Sequence, residues 1–367
     1  LTDILEYCNK FISKDSKLVK RRGKMSSKLI SDEIPKPEEV KPLDALEAIG
    51  LRRSIRWYEP NKPVEKWKIQ AMLEAARIAP TAGNYSGARV IVCYRDEDPD
   101  IWEYISDWSQ ITTQMAPVLM FWCYDMAAYD TQGQQLHDLM RTGALDKAHG
   151  WEYDRVSRLF PLPALLPDMI LHRLAAIDLG KAIENAIITA VALGLGTCLN
   201  GASGGARRNV KKYFSLPDSY VFCWMLTVGY PAESMEAGGA RGRPPFETMF
   251  FERKVGNPFK RDERVVELLK QLKLIQPGGP LPGRLEELNR LTKRFGLGDE
   301  WLTDWELSPS QLNDIQVLKD TRPKVFPKEE LQKIIPTDVQ VEFQLKPTVK
   351  REVLDQYRKE RGIGPED

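Results

Sequence analysis

The densest run of reactive side chains is LRRSIRWY at residues 51–58, where Arg52, Arg53, Arg56 and the Ser54 hydroxyl fall within five consecutive positions. A guanidinium stays charged, and its planar fork matches two oxygens of a phosphate, so this run has the chemistry to hold a phosphorylated ligand. It also reads as an exposed basic turn. A second pair, Arg241 and Arg243, stands far along the chain in RGRPP (241–245) beside backbone-restricting residues. Two distant arginine pairs closing on one phosphate would explain both.

Two further segments have ligand-binding chemistry. APTAGNY (79–85) offers small residues that let a planar ring approach the backbone, and the Asn84 amide both donates and accepts, which suits the edge of a pyrimidine-like ring. The same pattern is ordinary turn chemistry. LGLGTCLNGA (193–202) has glycines spaced loosely like a dinucleotide fingerprint, but they follow a helical pattern instead of opening one after a strand. Gly194 or Gly196 is instead expected to end that helix in a left-handed cap, leaving 197–201 extended with N–H groups to present.

Composition narrows the chemistry. The 367 residues are 42% hydrophobic and 29% charged, enough for one large or two modest cores. Lys plus Arg number 53 against 52 for Asp plus Glu, a net charge of +1 that gives no reason to expect a nucleic-acid partner. Five widely spaced cysteines without a C-x-x-C pair, and three histidines without metal-ligand spacing, argue against a disulfide framework or a metal centre. The expectation is a reducing, cytoplasmic setting, no membrane span, and chemistry carried by a bound organic cofactor.

The elements that must position these residues follow from periodicity. Residues 1–43 read as an arm with a basic cluster at 17–24, taken as a solvated charge run. Helical spacing marks 43–50 and 64–79, and buried strands are expected at 88–94 and 117–124. The stretch 125–173, rich in aromatic residues, Pro and Gly, reads as an irregular insertion or substrate lid. A long helix at 174–193 is apolar on most faces and should be buried. Strands at 221–228 and 247–251 close the section. Beyond about 256, polar amphipathic helices are expected at 263–274, 284–295, 328–335 and 348–361. This gives three parts: an arm (1–43), a ligand-binding domain (44–255) and a helical C-terminal extension (256–367).

The ordered set RRSIRWYE, AARIAPTAGN, IDLGKAIENAIITAVALGLGT, LNG, LTVGYPAE and RGRPPFETM resembles the FMN-dependent nitroreductase family over roughly residues 43–253. The resemblance implies an α+β fold, a central mixed sheet flanked by helices, and an intertwined homodimer with FMN at the subunit interface. It implies that Arg52, Arg53, Ser54 and Arg56 meet the flavin phosphate and the N1/O2 edge of its ring, where a fixed guanidinium stabilises negative charge on reduction. Pro80, Thr81, Ala82 and Asn84 would line the other side of the ring. Asn200 and Gly201 would lie near N5 and O4, and Arg241 and Arg243 would complete the phosphate clamp. TCLN (197–200), VGYP and RPPFETM also resemble the iodotyrosine deiodinase branch, which makes Thr197 a candidate hydroxyl donor at N5. Where relatives often continue Gln-Pro-Trp after the loop asparagine, this chain has Tyr85, Ser86 and Gly87.

The implied activity is ping-pong electron transfer from a reductant, NAD(P)H, through FMN to a small organic acceptor such as a nitroaromatic, quinone or activated alkene. A deiodinase-type reductive dehalogenase is one alternative, and a flavin-binding protein that recruits a partner with little turnover is another. Cys198 reads as a packing residue. His137, His149 and His172 read as surface or structural groups, and Trp102, Trp108, Trp151 and Tyr153 as aromatics that could stack on a substrate or simply form a small core of the insertion.

Overall fold

The computed structural model describes residues 30–98, 100–101, 105, 111–157, 166, 168–201 and 204–296. The basic cluster at 17–24, Trp102, Trp108 and the helices expected at 328–335 and 348–361 lie outside these residues. The chain forms two compact units, one of residues 1–132 with 167–302 and the other of 133–166 with 303–367.

Along the chain the elements are β1 (Ile30–Ser31), α1 (Ala45–Leu51), β2 (Val64–Glu65), α2 (Lys66–Arg77), β3 (Ala88–Tyr94), α3 (Ile111–Met115), β4 (Val118–Asp125), α4 (Gln132–Arg141), α5 (Tyr153–Ser157), α6 (Asp168–Ala192), β5 (Gly196–Gly201), α7 (Gly204–Tyr213), β6 (Tyr220–Gly229), α8 (Phe246–Met249), α9 (Glu263–Gln271) and α10 (Arg284–Arg294). Asp44 caps α1 by accepting from the Leu46 N–H at 2.8 Å, and Asp262 caps α9 in the same way through Arg264.

The first unit is built on a four-stranded sheet of order β3-β4-β6-β5, antiparallel throughout. Every position of β4 is buried, so both faces of the sheet are covered. One face holds a core that includes Ile55, Trp57, Phe121, Val210, Met225 and Leu291. The sheet gains its parallel component at one edge, where Ser54 bridges Thr197 of β5 and the Ile55 N–H donates to the Thr197 carbonyl at 2.8 Å. Gly196 permits this approach: a Cβ there would sit 2.9 Å from three carbons of Ile55.

Several expectations need correction. Where a strand was expected at 247–251, residues 246–249 form a helical turn, α8, because Pro245 occupies its N-cap and accepts from the Thr248 N–H, while Phe246 packs at a tilt against Phe250. The 125–173 stretch is not irregular throughout: it carries α4 and α5 and the start of α6. Asp168 opens α6, where its carboxylate complements the helix dipole, six residues earlier than periodicity placed the start. Within this chain α6 buries one stripe, from Leu171 through Ala175, Ala182 and Ala186 to Val191, and leaves Ile177 half exposed. The helix expected from Val64 begins at Lys66, since Val64 and Glu65 instead pair in parallel with Ile30 and Ser31. Gly194, at φ 76°, supplies the left-handed turn after α6. No helix among the described residues is long and apolar enough to cross a membrane.

Candidate functional site: an arginine cradle

Both arginine runs reach the same place. Arg53 leaves the C-terminal end of α1; its Nη1 donates to the carbonyls of Gly50 and Arg52 at 2.8 Å each, and its Nε donates to the Gly239 carbonyl at 3.2 Å. Gly239 lies two residues before Arg241, so this bond ties the two runs together. Arg241 donates to the Ala237 carbonyl at 3.0 Å, Arg56 to the Ser54 carbonyl at 3.1 Å, and Arg243 to the Gly242 carbonyl at 3.2 Å. Arg52 turns toward Glu184 of α6, at 3.4 Å.

The electrostatics follow from this crowding. Burial lowers the pKa of Arg53, and the guanidiniums of Arg52, Arg241 and Arg243 lower it further against the opposing pull of Glu236. Burial, Arg56 and Arg284 do the same to Arg241, with Glu233 opposing. Arg53 Nη2 is buried and has no hydrogen-bond partner among the described residues. An unpaired buried donor costs about 1–3 kcal/mol when left unmatched, and amid like charges it has the chemistry to take an anion.

The β5 residues stand beside this cradle. Thr197 is buried next to Ser54. The Asn200 amide donates to the Cys198 carbonyl at 2.9 Å, and Gly201, exposed, faces Trp224 across the β5–β6 pair. Burial raises the pKa of the Cys198 thiol, opposed by Arg56 and by a hydrogen bond with Ser54, so the thiol stays protonated near neutral pH. It is a packing group.

Pro80, Thr81, Ala82 and Asn84 lie on the loop that follows α2. Their loop is anchored on α6, where the Ala82 N–H donates to Asp178 Oδ2 at 3.0 Å, and Asp178 also pairs with Lys181 at 2.7 Å. Gly83, Asn84 and Ser86 have φ values of 56°, 60° and 50°, which turns the exposed Asn84 outward. Tyr85, where relatives often carry Gln, is buried against Tyr129 with ring centroids 4.5 Å apart. The structure brings the five arginines, Ser54 and Thr197 together; the hydrogen bonds of the 80–84 loop run to α6 and within the loop itself.

The histidines take local roles. His172 Nδ1 lies 2.9 Å from the Tyr124 hydroxyl, and exposed His149 pairs with Asp146 at 2.7 Å. A cleft of about 650 Å³ opens between residues 33–43 and the end of α6, lined in part by Leu51, Trp67, Leu193 and Met235. It contains none of the arginines, and the unmatched donor lies in the cradle instead.

Glu233 is a residue that motif reading passed over. Its side chain is almost fully buried and accepts the backbone N–H of both Arg56 and Trp57, the latter at 3.0 Å, while its other oxygen pairs with Arg284 of α10. It follows GYP in sequence, but only the long-range pairing marks it as a support for the arginine turn.

An antiparallel sheet sandwiched by helices, with a cluster of arginines at one strand edge, defines an α+β domain. Residues 49–230 match the nitroreductase family, and the domain they form is a member of it. The Bacillus subtilis protein YdgI, named as an NAD(P)H nitroreductase, is 27% identical over 214 residues, which cover 57% of this chain and 98% of that protein. Among solved structures, a nitroreductase from Exiguobacterium sibiricum in complex with FMN aligns at 22% identity over 55% of this chain and 94% of that one, with a TM-score of 0.48. A nitroreductase family protein from Streptococcus pneumoniae aligns at 19% identity over 57% of this chain and the whole of that one, with a TM-score of 0.44.

Proposed function

We propose that this chain is an FMN-dependent oxidoreductase that passes electrons from NAD(P)H to a small organic acceptor, acting as a homodimer. The observation that carries the reading is the unpartnered, buried Nη2 of Arg53 inside a group of five arginines, an arrangement whose missing partner is a phosphate-bearing ligand. The family of the 49–230 domain supports FMN as that ligand, and the name of the Bacillus subtilis relative supports NAD(P)H as the donor.

In this reading Arg53, Arg241 and Arg243 hold the phosphate, while Arg52, Arg56 and Ser54 face the N1/O2 edge of the ring. Fixed guanidiniums at that edge need no reorganisation when negative charge develops there, which lowers the cost of reduction. Bound FMN supplies hydride acceptance and donation. The backbone at Asn200 and Gly201 orients the ring edge, Thr197 offers a hydroxyl close to the Ser54 turn, and protonated Cys198 stays out of the chemistry. Asp178 fixes the 80–84 loop on α6. The resemblance implies a homodimer, and the half-exposed Ile177 and exposed Met169 of α6 give a second copy an apolar face to cover.

Anaerobic addition of NAD(P)H to FMN-loaded protein tests the proposal: the yellow absorbance bleaches and returns when a quinone or nitroaromatic is added. Protein that takes up FMN but is neither bleached by NAD(P)H nor recoloured by an acceptor is not such an enzyme.

A further inference from the structure

The segment 277–295 lies beyond the residues that match the family, yet it touches both limbs of the cradle. On the Arg241 limb, the Ala240 N–H donates to the Pro277 carbonyl at 2.8 Å, the Gly279 N–H returns to the Ala240 carbonyl at 2.9 Å, and the Leu281 N–H reaches the Gly238 carbonyl at 3.0 Å. Gly239, at φ 104°, allows this approach, since a Cβ there would lie 2.7 Å from Gly279. On the Arg52–Arg56 limb, Arg284 pairs with the Glu233 carboxylate that accepts from the Arg56 and Trp57 amides. Arg294 binds both oxygens of Glu59 at 2.8 Å, and Phe295 stacks on Trp57 with centroids 5.7 Å apart.

Arg284 is the keystone of this arrangement. It is mostly buried, divides its donors between Glu233 and Glu287 (2.7 Å), and Glu287 in turn accepts from the Ser234 N–H at 2.6 Å. Burial alone would lower its pKa, but the hydrogen bonds to the two carboxylates outweigh that and raise it. Removing this guanidinium would leave Glu233 as a buried carboxylate without its counter-charge, and the turn it holds would be free to shift.

We propose that 277–295 is an integral wall of the cofactor site and that Arg284, acting through Glu233, is a positioning residue that holds the Arg56 turn and the Arg241 limb at the spacing the flavin requires. The inference rests on the flavin reading above. FMN titration of the full chain, followed by quenching of free-flavin fluorescence, tests it together with backbone amide exchange. Arg284→Met is expected to weaken FMN binding at least tenfold and to speed exchange at Arg56 and Trp57 at least tenfold, with the β3 and β4 amides unchanged. Arg284→Lys, which keeps the charge, is expected to recover most of the affinity, a rescue that mere loss of packing would not give. Should Arg284→Met fail to fold, Glu233→Gln serves: it keeps an acceptor for the two amides, removes the charge, and is expected to weaken FMN binding at least threefold. Wild-type protein that binds FMN alongside variants of unchanged affinity overturns the positioning role alone. Wild-type protein that takes up no FMN overturns the flavin reading and this inference with it.

Discussion

Arg53 and Gly239 are joined by a hydrogen bond of 3.2 Å from the guanidinium Nε to the peptide carbonyl, and this contact fastens the two arginine runs to each other. It fixes Arg53 with one nitrogen satisfied by the backbone and another left for a ligand. The cradle is therefore preorganised, which reduces what a ligand must spend on ordering it.

Replacing Arg53 or Arg241 with Ala should cost about 1.5–3 kcal/mol of FMN affinity, the range for a charge-assisted hydrogen bond. Riboflavin, which lacks the phosphate, should discriminate poorly between wild type and variant. Parallel fluorescence titrations with the two flavins check this; equal losses for both would move the arginines away from the phosphate.

Gly239 should not tolerate a side chain. Its φ of 104° and the 2.7 Å approach of Gly279 make Gly239→Ala both strained and clashing, a loss of at least about 1 kcal/mol. Urea denaturation measures it, and an unchanged midpoint would mean the two loops are not in contact.

Asp178 is expected to matter for the 80–84 loop. It is buried and accepts the Ala82 N–H at 3.0 Å, so Asp178→Ala strands that donor at a cost of about 1–3 kcal/mol. Limited proteolysis should then find new cleavage near Thr81, whereas wild-type resistance in the variant would show that the loop is held by something else.

Stability should fall on the alkaline side. Burial raises the Cys93 and Cys123 thiols to about 12. An unfolded thiol ionises near about 8.5 while the folded one stays protonated, so above that pH the unfolded chain binds fewer protons than the native one. The stabilisation is whole below about pH 8.5 and is lost progressively as pH rises toward the folded value, by up to about 1.4 kcal/mol per pH unit for each thiol. Thermal melts at pH 8 and pH 10.5 test this, and Cys93→Ala should reduce the pH dependence. A pH-independent difference between the two proteins would contradict it.

Much of the scaffold was legible where one principle acts alone. The strand at 88–94 and the helices near 263 and 284 follow from short-range pattern, and the left-handed turn at Gly194 follows from the residue that permits it. The 247–251 stretch misled because its apolar run of Met249, Phe250 and Phe251 follows a proline-capped turn. The start of the long helix was set six residues too late because Asp168, a charge within an apolar run, marks a helix start. Arg52, Arg53, Arg56, Arg241 and Arg243 stood out as a candidate site because clustered guanidiniums have few other uses. Glu233 and Arg284 did not, since one carboxylate and one arginine among many acquire meaning only when folding sets them together. Asn84 was legible as a residue of a tight turn, and the anchor of that turn, Asp178 of α6 accepting from the Ala82 N–H, acquires its role only in the fold.

The central claim is that the arginine cradle is an FMN phosphate site, and equilibrium binding of FMN to the 367-residue chain tests it most directly. The account predicts saturable binding that weakens as salt rises, because charge pairs are screened, and that is much weaker when riboflavin replaces FMN or when Arg53 and Arg241 are both changed to Ala. FMN binding that is equal in wild type and in the double variant, or no binding by the wild type at any concentration reached, would contradict it.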